Sequence, residues 1–209
     1  MEKLDLCKLK QDIDNSLNGQ IISGKVLLDR FRVIDESNRK SSVYLDHKYA
    51  PFYYHLGKYI KPLSMGEIGF DLGLLTCSFL TSCKTVKRFV GIKEPTSEFV
   101  SNRLGKANLR NVCKCESNFF IGNIYDEMTS EILSSQKWDL FIINEEFLYD
   151  KHLEYLDIVW SHLADEGIIV SEYIERHKPA KEAFFAFCES KNRQPVSFKT
   201  RYGTGIVQK

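Results

Sequence analysis

The chain reads as a three-layer α/β domain: a mostly parallel sheet of seven strands, an antiparallel last strand, and an N-terminal helical cap. Three observations predict it. From Pro62 onward, short apolar runs alternate with stretches of helical spacing, the pattern of a parallel sheet covered on both faces. The run Trp138–Ile143 is apolar almost throughout, as a strand buried on both faces requires. Two strand-like runs close the chain with no helix between them, which places a hairpin at the sheet edge.

Residues 1–60 stand apart as the cap, and residues 61–209 form the α/β domain proper. Asp12–Leu17 and Ser23–Ile34 carry helical spacing, and Glu36–Ser42 is a polar connector. Val43–Ile60 is dense in rings: Tyr44, Tyr49, Phe52, Tyr53, Tyr54 and Tyr59. Phe52, Leu56 and Tyr59 share one face of a helix that starts after Pro51, a good first-turn residue. Two readings stay open for it, a cover helix packed on the sheet or rings that wall a substrate pocket.

Strands are expected at Leu63–Ile68, Val86–Ile92, Asn118–Ile121, Trp138–Ile143, Ile168–Ser171, Val196–Thr200 and Gly205–Gln208. The helices between them fall at Leu74–Ser82, Ser97–Ala107 (with Pro95 and Thr96 as start signals), Asp126–Ser135, Leu148–Leu163 and Ala180–Ser190. Asp165-Glu-Gly167 reads as the turn that closes the fourth of these helices.

Composition narrows the function classes. Charged residues make up 27% of the chain, yet the net charge is only +1, and no long basic run offers a nucleic-acid surface. Lys84–Arg88 holds three bases between apolar stretches and reads as a solvated turn. No apolar run approaches the ~20 residues that cross a bilayer, and no signal-peptide core is present. The expectation is a cytoplasmic protein with a small-molecule substrate, without nucleic-acid or membrane partners, and with room for a homodimer. Cys113-Lys-Cys115 is too tight for usual zinc spacing, so the six cysteines read as reduced structural thiols.

The strongest local signal is Glu67-Ile-Gly69-Phe-Asp-Leu-Gly73, directly after a strand and before a helix. Glycine there permits a tight turn and close approach of backbone to a ligand, and the helix N-terminus aims free N–H groups at it. This segment resembles the first motif of class I S-adenosylmethionine-dependent methyltransferases, acid-x-Gly-x-Gly-x-Gly, with Glu67, Gly69 and Gly73 on its first, second and last fixed positions. Asp71 stands where the middle glycine is expected, a loss tolerated in TylF-like and related small-molecule O-methyltransferases, which the sequence resembles over residues 60–209. The strand Arg88-Phe-Val-Gly-Ile92, the segment Leu163-Ala-Asp-Glu-Gly-Ile-Ile-Val170 and the ending Tyr202-Gly-Thr-Gly-Ile-Val207 extend the resemblance.

The resemblance implies a Rossmann-like methyltransferase fold, S-adenosylmethionine as cofactor, and a small hydroxylated, sugar-like acceptor. It assigns Glu67, Gly69, Asp71, Gly73, Asn123, Ile124 and Asn144 to the cofactor. The ribose acid expected after the second strand reads Lys93, so Glu94 takes that role if the strand runs one residue further, and otherwise the acid is lost. Asn123 either accepts from the adenine amino group or is an ordinary turn residue. Asn144 occupies a slot where metal-assisted relatives carry Asp, so a divalent metal is not expected; Glu145 and Glu172 are the candidate carboxylates for one, with Glu146 beside them.

Asn144 and His177 are the catalytic candidates, while His152 and His162 read as surface or packing residues. The alternative function is a methyltransferase-like scaffold that has lost cofactor binding, to which Asp71, Lys93 and Asn144 all point. A nicotinamide oxidoreductase is disfavoured, because the turn lacks G-x-G-x-x-G spacing. Gly69→Val is expected to remove binding while sparing the fold.

Overall fold

The computed structural model describes residues 1–19, 26–27, 49–93, 99–145 and 148–209, without the side chains of 99–102. The expected helix at Ser23–Ile34 (save Val26 and Leu27), the connector Glu36–Ser42, and both Glu94 and Glu146 lie outside the described residues.

The described elements are α1 (Leu6–Asn18), α2 (Tyr49–Tyr59), β1 (Ser64–Ile68), α3 (Leu74–Ser82), β2 (Arg88–Lys93), α4 (Phe99–Val112) and β3 (Glu116–Ile121), followed by α5 (Glu127–Ser134), β4 (Trp138–Ile143), α6 (Tyr149–His162), β5 (Leu163–Ser171), α7 (Lys178–Ser190), β6 (Val196–Phe198) and β7 (Thr204–Gln208). The sheet order is β3-β2-β1-β4-β5-β7-β6. β1 to β5 pair in parallel, and β7 runs antiparallel against both β5 and β6. The predicted sheet is therefore the observed one. An antiparallel strand inserted beside β5 also separates it from the all-parallel dinucleotide-binding order.

Side chains alternate across each strand, and the two apolar clusters follow that alternation. Met65, Leu140, Ile142, Ile168 and Val170 bury with α1 to α4 on one face. Ile68, Val90, Ile92, Phe141, Ile143 and Ile169 bury with α5, α6 and α7 on the other. The chain order β1-α3-β2 and β4-α6-β5 thus wraps helices onto opposite faces on either side of the β1/β4 junction. That junction is where an open sheet parts its loops and makes a crevice.

α1 buries Leu9, Ile13 and Leu17 at helical spacing. Its first turn is closed by Asp5, whose side chain accepts from the Lys8 N–H at 2.9 Å. Asp5→Ala is expected to lower stability by about 1 kcal/mol, read as a small shift of the thermal midpoint.

α2 departs from the expected face. It is helical from Tyr49, with Pro51 inside the described helix, and Phe52, Tyr53 and Leu56 are fully buried while Tyr59 is 38% exposed. Tyr59 is the last helical residue, and its hydroxyl lies 3.3 Å from Ser16 Oγ at the surface. The Asp165-Glu-Gly167 turn is also absorbed: β5 starts at Leu163 directly after α6, its pairing with β4 shifts register between Trp138 and Leu140, and Glu166 takes φ +61°. α4 runs to Val112, beyond the expected end at Ala107.

Candidate active site

The turn that leaves β1 is held rigidly. Gly69 has φ +83° and Gly73 φ +67°, the left-handed region that side chains disfavour. The Gly69 and Phe70 N–H groups both donate to the Ile92 carbonyl, at 2.9 and 3.2 Å, which ties the turn to β2. Asn108 Nδ2 donates to the Leu72 carbonyl at 3.0 Å from α4. Beneath the turn the Phe70 ring is buried against Phe89 and Phe119, with ring centres 5.2 Å away in each case.

Glu67 is 1% exposed and fully engaged inside the fold. Thr76 Oγ1 of α3 donates to its Oε2, and Asn144 Nδ2 donates to its Oε1 at 3.2 Å. The same Asn144 amide nitrogen lies 3.3 Å from the Gly69 carbonyl, so one side chain links β1, the turn and the end of β4. Burial dominates the carboxyl's acidity and raises its pKa to about 8, against the opposing hydrogen bonds from Thr76 and Asn144. Asn144 Oδ1 is buried and has no hydrogen-bond partner among the described residues.

Glu172 lies two residues beyond Val170, on the same sheet face as Glu67, because the register aligns Glu67, Ile142 and Val170. Its Oε1 accepts from the Tyr53 hydroxyl of α2 and from Thr204 Oγ1 of β7, the latter at 2.8 Å, while its Oε2 is buried without a hydrogen-bond partner among the described residues. Burial pushes its pKa up to about 7. A divalent cation requires carboxylate oxygens free to turn toward it. Glu172 Oε1 is taken by Tyr53 and Thr204 and an amide stands at Asn144, so these ends of β4 and β5 offer such an ion the Glu172 Oε2 oxygen and no acid at position 144. Glu145 is half-buried beside them. Among the described residues, no three His, Cys, Asp or Glu side chains gather around a common point.

At the end of β2, Lys93 is 8% exposed and its Nζ lies 2.8 Å from Asp71 Oδ1. Two of the departures from the expected motifs, Asp71 and Lys93, thus form an ion pair. At the end of β3, Asn123 Oδ1 accepts from the Tyr125 N–H at 2.8 Å, and the Asn123 N–H donates to Asp126 at 2.7 Å. Its side chain closes its own turn, with further acceptor capacity on Oδ1. Ile124 is 2% exposed and belongs to the cluster of Ile68, Val90 and Ile92.

His177 precedes α7 in the N-cap position, and its Nδ1 is buried without a partner among the described residues. Nearby His152 is fully buried, with Nε2 2.9 Å from Ser171 Oγ; burial first, then the neighbouring His177, lower its pKa to about 4. Ser171 points to the α6/α7 side, opposite Glu172. The structure therefore gathers Glu67, Gly69, Asp71, Gly73, Lys93 and Asn144 at one end of the sheet and leaves His177 on the other face. Tyr53, Thr76 and Thr204, which hydrogen-bond the two carboxyls, carried no motif signal; only the ring density around Tyr53 marked that stretch.

No protein-family model matches the chain, and no curated protein matches its sequence. Solved structures do. The O-methyltransferase from Bacillus cereus, in complex with SAH, matches with a TM-score of 0.68 and 13% identity, over 96% of this chain and 100% of that one. This chain has the Rossmann-like methyltransferase fold. Two further examples of the methyltransferase fold span it as fully. The O-methyltransferase TomG from Streptomyces achromogenes, in complex with SAM, reaches a TM-score of 0.66 at 11% identity, covering 98% of each chain. An SAH-bound methyltransferase from Podospora anserina reaches 0.65 at 10% identity, over 99% of this chain and 97% of that one. Among the described residues, no helix of this methyltransferase fold is long and apolar enough to cross a membrane.

Proposed function

We propose that the protein is an S-adenosylmethionine-dependent O-methyltransferase acting on a small hydroxylated acceptor. The observation that carries this reading is the rigid left-handed turn Gly69–Gly73 at the β1/β4 junction, anchored by the part-buried Glu67–Asn144 hydrogen bond. Such a turn brings backbone against a ligand, with the N-terminus of α3 behind it. Similarity in fold to SAM- and SAH-bound methyltransferases supports the choice of ligand.

In this reading Gly69, Asp71, Gly73, Asn123, Ile124 and Asn144 would hold the cofactor. The cofactor supplies an activated methyl group on a sulfonium. The chain supplies alignment, and alignment is the larger contribution for such a transfer. Asn144 is fixed by Glu67 and the Gly69 carbonyl, which leaves its orphaned Oδ1 to accept a hydrogen bond from a bound donor. His177 is the less favoured proton acceptor, because it sits with His152 across the sheet from this network.

Calorimetric titration with S-adenosylmethionine and S-adenosylhomocysteine tests the reading directly. The expected result is one site per chain with micromolar dissociation constants, the ordinary range for enzyme ligands. Absence of heat at millimolar ligand, with the protein folded, would return the chain to a non-catalytic scaffold.

A further inference from the structure

β2 ends on Lys93, one residue beyond the expected end at Ile92, so its buried last position carries a cation, and the acid this reading expects falls to Glu94 next in the chain or to a neighbour of Lys93. The turn after β1 carries an anion where it expects a glycine. We infer that the ribose-recognising acid has moved from the strand to the turn: Asp71 accepts the vicinal hydroxyls of the bound nucleoside, and Lys93 is the residue that positions it. The inference rests on the cofactor reading above.

Lys93 sits on the last residue of β2, with its side chain 10% exposed, and its ammonium meets Asp71 Oδ1 at 2.8 Å. A carboxylate held this way keeps a fixed direction. Asp71 is itself 50% exposed, so its second oxygen and the remaining lone pair of the first stay open to a ligand. Two acceptor oxygens side by side are what a vicinal diol needs.

The backbone around Asp71 makes this presentation rigid. Phe70 on one side and Leu72 on the other are 1% and 5% exposed. The Phe70 N–H is fixed on Ile92, and the Leu72 carbonyl is fixed by Asn108. Gly105 of α4 packs so closely beneath that a Cβ there would come within 2.9 Å of the Phe70 ring. Asp71 is therefore an exposed carboxylate on an immobile support, and binding a diol orders little that is not already ordered.

Lys93 alone does not suit this role. An ammonium only donates, and a diol bound to it would compete with an existing ion pair. Asp71 also resolves the degenerate look of the motif. The two departures are reciprocal in charge and touch in space.

The test compares S-adenosylhomocysteine with its 2′-deoxy analogue by calorimetry, in the wild-type chain and in Asp71→Asn, Lys93→Met and Glu94→Ala, each checked for a native-like melt. The wild type is expected to prefer the diol by roughly tenfold or more, the size of a hydrogen bond to a charged acceptor. Asp71→Asn, which keeps shape and loses charge, should bring the ratio to about unity. Lys93→Met should give an intermediate ratio, because the acid survives and its anchor does not. Glu94→Ala should leave the ratio as in wild type. A ratio unmoved in Asp71→Asn, or lost in Glu94→Ala, overturns the assignment while S-adenosylhomocysteine binding keeps the cofactor reading intact. Failure of the wild type to bind either ligand overturns both.

Discussion

Gly69→Val is expected to cost the fold about 2–6 kcal/mol of stability. A Cβ at this position would fall inside the contact radius of the Asn144 carbonyl oxygen, 2.7 Å from its carbonyl carbon and 2.8 Å from Glu145 Cγ. The end of β4 is not free to retreat, because the Asn144 N–H donates to the Ile68 carbonyl at 2.9 Å. The φ of +83° adds strain for any side chain, and most for a β-branched one. Sequence alone suggested that this substitution would empty the site and spare the fold. The strand neighbour it collides with, 75 residues away in the chain, corrects that. Urea titration should show a collapsed midpoint for Gly69→Val, with most of the loss already present in Gly69→Ala, since the clash begins at Cβ. A wild-type midpoint in either variant would refute this account. Against a typical total of 5–15 kcal/mol, a loss of that size is a large share of the stability of the fold.

Stability should fall as pH rises through neutrality, and Glu67 is the main cause. Its native carboxyl holds a proton up to about pH 8, whereas the ordinary value is 4.5. Between those limits the folded chain binds more protons than the unfolded one. Each such proton removes up to ~1.4 kcal/mol of stability per pH unit. The stabilisation is complete below pH 4.5 and is lost by the time pH passes about 8. Glu172, raised to about 7, adds to the same slope over a narrower window. Glu67→Gln keeps an acceptor for Thr76 and cannot ionise, so its denaturation midpoint should vary less between pH 5 and 9 and exceed that of the wild type at the alkaline end. A wild-type profile that rises over this range would contradict the burial argument. So would a Glu67→Gln profile parallel to it.

The strand–helix alternation, the antiparallel closing strand and the turn at Gly69 and Gly73 were legible in the chain because each depends on local chemistry. Periodicity reports which face of an element is buried, and glycine reports a backbone that bends where side chains cannot follow. The charges of Asp71 and Lys93 were legible too, but only as two separate anomalies. Their 2.8 Å contact across 22 positions belongs to the tertiary structure. The same holds for Glu172, a candidate carboxylate in the sequence, whose Oε1 is met by the hydroxyl of Tyr53, 119 residues earlier. A carboxylate looks identical in a sequence whether it faces a crevice or a tyrosine. The direction is decided by strand register, which places Glu67 and Glu172 on the face that α2 and α3 cover, and by burial, which makes an unpartnered acid too unfavourable to keep. Local signals thus determined the sheet and the turn, whereas the Asn144 bond of Glu67, the Tyr53 and Thr204 bonds of Glu172 and the Lys93–Asp71 pair were settled by elements distant in the chain.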